Sequence, residues 1–137
     1  MLCDLIPAIL GTRGPAHDVH IATLGLSTAN AVTLAELKES GRIRSLTIVC
    51  SHYFQQVDIA TTFREVAARL DGVARIVIER SHAKVVCLPT AAGDHYVLEG
   101  SANIRSSDNL EQMTIFNDAE VLEFHRGWMD QLAERHG

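Results

Sequence analysis

Residues 18–27, Asp18-Val19-His20-Ile21-Ala22-Thr23-Leu24-Gly25-Leu26-Ser27, are apolar or β-branched at most successive positions rather than alternate ones. A strand with one wet face alternates, whereas a strand covered on both faces reads as a nearly continuous apolar run. The stretch is therefore expected at the centre of a sheet with helices on it. Downstream, Thr28 is a candidate cap for a helix to about Ser40, with Ala31, Leu34, Ala35 and Lys38 on one face and Gly41 as a left-handed stop. A second strand is expected over 45–51. Residues 57–70 follow as a helix, because Phe63, Val66, Ala67 and Leu70 recur at helical spacing before Gly72.

Further strands are expected at 74–79, 82–88, 95–99 and 111–116, with a hairpin turn at 91–94. Asp118 then caps a closing helix marked by Val121, His125, Trp128 and Leu132 on one face, with Gly127 inside it. This order implies an α/β fold, a mixed β-sheet flanked by helices. The chain has 137 residues, 47% of them hydrophobic, which suits one core and is too short for two ordinary domains. Residues 1–137 are read as a single domain, without repeat or linker.

No apolar run approaches the roughly 20 residues of a membrane span. Residues 1–10 are apolar, but they carry Asp4 and show neither a basic leader nor an A-x-A cleavage site, so a cytoplasmic protein is expected. Three dispersed cysteines, Cys3, Cys50 and Cys87, lack C-x-x-C spacing and read as buried reduced thiols. A formal charge of −5 gives no general attraction to nucleic acid, so any such contact needs a local basic patch.

The chemistry concentrates in three fragments: His82-Ala83-Lys84, Gly100-Ser101-Ala102-Asn103 and Asn109-Leu110-Glu111. In an extended chain, His82 and Lys84 emerge on one side and Ala83 on the other. An imidazole and an ammonium then face one space. Gly100 permits a sharp exit or a close backbone approach, and Ser101 and Asn103 follow as donors suited to phosphate oxygens. Glu111 is a carboxylate able to fix an imidazole tautomer.

H-x-K, G-S-x-N and N-x-E in this order and spacing resemble the phospholipase D superfamily, over about 81–111. The resemblance implies a phospholipase D-like half-unit in which His82 is the nucleophile and forms a phosphohistidine. Lys84, Ser101 and Asn103 would hold phosphoryl oxygens, and Glu111 would orient His82. Asn109 and Arg105 join them as substrate-binding candidates. One position departs from the family's longer motif, which has Asp five residues after the Lys. Here that residue is Pro89, with Asp94 nearby but out of register.

Members build one site from two H-x-K copies, and this chain has one. The resemblance therefore implies a homodimer, with the partner subunit's His82 as the acid, and a reaction that needs no metal or other cofactor. A metal-independent endonuclease on DNA or RNA is the reading, with no membrane partner. A degenerate member that binds nucleic-acid phosphates without cleaving them is the alternative, motivated by Pro89 and the acidic balance.

Other residues carry plainer readings. His17 and His20 have metal-like spacing but no further ligand in view. His52 and Tyr53 follow a strand where ligands often bind and could line a substrate path, but a half-buried aromatic at a strand end is the preferred explanation of Tyr53. Of Arg75, Arg80 and Arg105, the last adjoins the G-S-x-N run and is preferred for backbone contact. Trp128 reads as a core or subunit-interface residue.

Overall fold

The computed structural model describes residues 2–58, 62–100 and 112–136. The stretch at 18–27 is central, as its composition requires. It contributes β1 (Ala16–Thr23), which lies between β2 (Ile43–Ser51) and β4 (Val85–Pro89). With β3 (Arg75–Glu79), β5 (His95–Gly100) and β6 (Met113–Asn117), these strands form one mixed sheet in the order β3-β2-β1-β4-β5-β6. β1, β2 and β3 run parallel, while β4 is antiparallel to β1 and leads into an antiparallel meander.

Both faces are covered, which is why β1 does not alternate. Val19 and Ile21 pack with Ile48 and Val86 on one side, against α1 (Leu2–Arg13), α2 (Thr28–Glu39), α3 (His52–Asp58) and α4 (Thr62–Leu70). Ala22, Val49 and Val85 face the other side, under α5 (Ala119–His136). The mixed sheet flanked by helices is thus as the sequence implies.

Several boundaries differ, each for a local reason. The first strand stops at Thr23 because residues 24–27 turn to start α2, whose N-cap is Ser27 and not Thr28. Ser27 Oγ accepts from the Asn30 N–H at 3.1 Å and Asn30 Oδ1 accepts from the Ser27 N–H at 3.0 Å, a reciprocal capping box. Gly41, at φ +78°, terminates that helix as expected. The helix expected over 57–70 is α4, preceded by a separate α3, with residues 59–61 outside the described chain. Phe54 and Phe63 join the two through an edge-on ring contact at 5.3 Å.

The opening segment is a helix that the sequence reading did not assign. Its Cys3, Ile6 and Leu10 are buried at helical spacing. Asp118 caps α5 as expected, its Oδ1 accepting from the N–H groups of Glu120 and Val121 at 2.9 and 3.1 Å. The stripe α5 buries is Leu122, Met129 and Ala133, one step round the helix from the expected face. Val121, Trp128 and Leu132 form its partly buried flank.

The 90–94 turn closes the β4–β5 hairpin through Thr90 N–H to the Asp94 carbonyl at 2.9 Å, with Gly93 at φ +94°. Asp94 is its anchor. Its carboxylate accepts from Arg13 Nε and Nη2 at 2.8 and 3.3 Å, Thr90 Oγ1 at 2.9 Å and Asn117 Nδ2 at 3.3 Å.

Candidate active site

One edge of the sheet gathers His82, Lys84 and Gly100. The parallel strands β1, β2 and β3 end there at Thr23, Ser51 and Glu79; β4 enters there, β5 leaves there and β6 enters again. The register fixes this: Ala22 pairs with Val85, Val85 with Glu99, and Gly100 with Met113. β1 has its sequence successor β2 on one side and β4 on the other, so connections diverge from its carboxyl end. Ligands in open α/β sheets bind outside such carboxyl ends.

Residues 82–84 approach β4 but do not belong to it, since the pairing with β1 begins at Val85. This corrects the expected strand over 82–88. The cause lies in the neighbour: β1 has nearly finished at Ala22, so no ladder is available earlier. Ala83 is partly buried against the cluster under α5 that includes Val85. His82 is exposed and Lys84 half-buried, with Lys84 Nζ donating to the His82 carbonyl at 3.3 Å. Ser81 Oγ accepts from the Ala83 N–H at 3.1 Å and braces the approach.

Gly100 serves a close approach, between two stretches of backbone. A Cβ there would fall on the Gln112 carbonyl oxygen and 2.9 Å from Met113 Cα. Only glycine lets β5 and the start of β6 converge at this edge. Of the other candidates, Ser101, Asn103, Arg105, Asn109 and Glu111 lie outside the described residues.

Pro89 and Asp94 stand at the opposite end of the sheet. Five residues of strand separate Lys84 from Pro89, roughly 17 Å. The departure from the family motif is thus remote from His82. The Arg13 guanidinium, then the Thr90 and Asn117 hydrogen bonds, hold the Asp94 carboxyl below the usual range for Asp. Its role is to lock the hairpin to α1 and β6.

The remaining candidates also resolve. His17 is exposed, whereas His20 is buried with Nε2 2.7 Å from Asp130 Oδ1, so it serves to hold α5. Among the described residues no group of three or more His, Cys, Asp or Glu side chains is placed to hold a metal ion. Nor is any described helix long and apolar enough to cross a membrane. All three cysteines are buried thiols outside any disulfide. Burial pushes the Cys3 thiol to about 11 and Cys87 to about 12, so neither is a nucleophile near neutrality. Arg75 is at the start of β3 and donates to the Ala133 carbonyl in α5, away from the site. Tyr53 is 55% exposed rather than half-buried, in the first turn of α3 at the carboxyl end of β2.

Sequence reasoning missed the brace behind the site. Trp128 Nε1 donates to His125 Nδ1 at 3.0 Å, so Nε2 carries the imidazole proton and donates to Glu99 Oε2 at 2.9 Å. Glu99 immediately precedes Gly100. On the other side His136 Nε2 meets Glu79 Oε2 at 3.1 Å, three residues before His82. The only sequence signal was the spacing of His125 and Trp128 on one helix flank.

No protein-family model and no curated protein matches the sequence. Among solved structures, the chain is similar to the crystal structure of a phospholipase D family member, Nuc from Salmonella typhimurium. The TM-score is 0.67 at 15% sequence identity, covering 94% of this chain and 84% of that one. With its parallel strands and meander meeting where H-x-K approaches β4, the chain has the fold of the phospholipase D superfamily, as a single half-unit.

Proposed function

We propose that this protein is a metal-independent phosphodiesterase, an endonuclease acting on DNA or RNA as a homodimer through a phosphohistidine. One observation carries the reading: in a phospholipase D fold, His82 and Lys84 stand free of the ladder at the carboxyl edge, beside the glycine that opens G-S-x-N. The remoteness of Pro89 adds support, because the motif position it alters lies at the far end of β4.

In this mechanism one nitrogen of His82 attacks phosphorus and forms a P–N bond. The P–O bond to the leaving oxygen breaks, and that oxygen takes a proton from the imidazolium of the partner subunit's His82. In the second step the neutral imidazole of the partner subunit's His82 takes a proton from water. The water oxygen attacks phosphorus, the P–N bond breaks and His82 is restored. Lys84, Ser101 and Asn103 stabilise the charge on the non-bridging oxygens, Glu111 orients His82, and Asn109 and Arg105 contact the substrate.

The test is hydrolysis of oligonucleotides in EDTA by wild type and His82→Ala, with acid-quench trapping of a phosphoenzyme and sedimentation at micromolar concentration. Cleavage in EDTA that the variant loses, from a dimer, is expected. Binding without cleavage would favour the degenerate module, and a strictly monomeric protein would leave the leaving group without its acid.

A further inference from the structure

The carboxyl edge extends beyond His82 and Lys84. Arg80 follows the last residue of β3 and is exposed, and Tyr53 follows β2 with more than half its surface open. Ser51 Oγ accepts from the Tyr53 N–H at 3.1 Å, which fixes the backbone that carries the ring. Glu79, the carboxylate closest in sequence to Arg80, is engaged by His136 and by the Arg80 N–H at 2.8 Å.

The strand order β3-β2-β1-β4 therefore sets out Arg80, Tyr53 and Lys84, bearers of a guanidinium, an aromatic ring and an ammonium, in sequence along one edge. Adjacent strands are about 4.8 Å apart, so Tyr53 is roughly 5 Å along the edge from Arg80 and roughly 10 Å from Lys84. That is the span of a short piece of nucleic-acid backbone rather than of one phosphate. An aromatic platform between two cations suits a strand whose base is free to leave its partner and lie on the ring. A paired base in a duplex offers no free face.

We propose that Tyr53 and Arg80 form a subsite for an unpaired nucleotide adjoining the phosphate held at Lys84, so that single-stranded nucleic acid is the preferred substrate. The inference rests on the phosphodiesterase reading only in taking Lys84 as the phosphate end of the track.

The experiment measures fluorescence anisotropy of a labelled single-stranded oligothymidylate, its abasic counterpart and the matching duplex, all in a His82→Ala background in EDTA. Tyr53→Ala is expected to weaken binding of the oligothymidylate by about 5- to 150-fold, the measured range for one stacked base. Tyr53→Phe keeps the ring and retains the affinity. The abasic strand binds the parent as weakly as the normal strand binds Tyr53→Ala. Arg80→Ala weakens both strands alike and lowers the salt dependence by about one counterion.

Equal affinity of the parent for normal and abasic strands, or for single strand and duplex, overturns the proposal. So does a Tyr53→Ala variant that binds as its parent does. A changed sedimentation coefficient in that variant overturns it too, since the ring would then be a subunit contact. Hydrolysis of bis(4-nitrophenyl) phosphate by wild type separates the two readings. If hydrolysis is absent while base-dependent binding persists, the enzyme reading fails and the subsite stands; the converse sinks the subsite alone.

Discussion

The two ends of the sheet are built on opposite principles. At the end where β1 begins and β4 turns into β5, polar groups are bound to one another. Asp94 accepts from Arg13, Thr90 and Asn117, and Asp18 accepts from Ser45 at 2.7 Å and from Arg44 and Arg126 at 3.3 Å. At the carboxyl end, His82, Arg80 and Tyr53 face solvent, and the His82 imidazole makes no hydrogen bond to another described residue. A polar group that loses water must find a partner in the protein, whereas an exposed one keeps its capacity for a ligand. One end is bonded within the frame and the other stays open to solvent.

The contrast can be broken first at His82. His82→Ala should lower phosphodiester hydrolysis by on the order of 10³-fold or more, as loss of a covalent nucleophile does, without shifting the melting temperature. A large loss of thermal stability would mean that His82 belongs to the frame. Gly100→Ala crosses the divide, because the added carbon meets the Gln112 backbone. It should cost about 1–3 kcal/mol, as overpacking against an unyielding neighbour does, and lower the rate as well; urea denaturation and kinetics together read both.

At the frame end, Asp94→Asn should lower the melting temperature at neutral pH while hydrolysis at fixed low temperature persists. Asp94 and Asp18 are both held below the ordinary Asp value, chiefly by Arg13 and by Ser45 respectively. The unfolded chain therefore takes up protons at a higher pH than the folded one. Their stabilisation is complete above the unfolded Asp value of about 3.9 and is lost as pH falls through the depressed folded values. Asp94→Asn should flatten that acid limb in a pH series of melting curves; an unchanged limb would remove Asp94 from the frame. The smallest effect is expected on the outer surface of α5, where a Cβ at Gly127 meets nothing within 4 Å. Gly127→Ala should stabilise by about 1 kcal/mol through helix propensity alone, measurable by urea denaturation.

What could be read from the sequence follows the same division between local and distant causes. The central strand was legible because coverage on both faces leaves its mark on most residues of 19–23, although the apolar run overshoots the strand's end at Thr23. The burial of Ala83 was legible because it is small and apolar between two polar neighbours. The start of β4 was not, because it depends on where β1 ends, some sixty residues earlier in the chain. Ser27 displaced Thr28 as cap through a reciprocal bond with Asn30 that a one-sided cap rule overlooks. Helix α1 is masked in the sequence because residues 1–10 have the apolar look of a leader, although Cys3, Ile6 and Leu10 have helical spacing. The His125 to Glu99 contact joins residues 26 apart, and no local pattern announces it. Of the site, His82, Lys84 and Gly100 stand together at one edge.

The place of β1 between β2 and β4 also governs the order of assembly. A ribosome delivers β2 soon after β1, but the other flank of β1 stays bare until residues 85–87 have emerged. During that interval a strand that is covered on both faces in the finished fold presents an unpaired border to its surroundings, the condition under which nascent chains stick to one another. Quality control during synthesis is thus most needed between the second strand and the fourth.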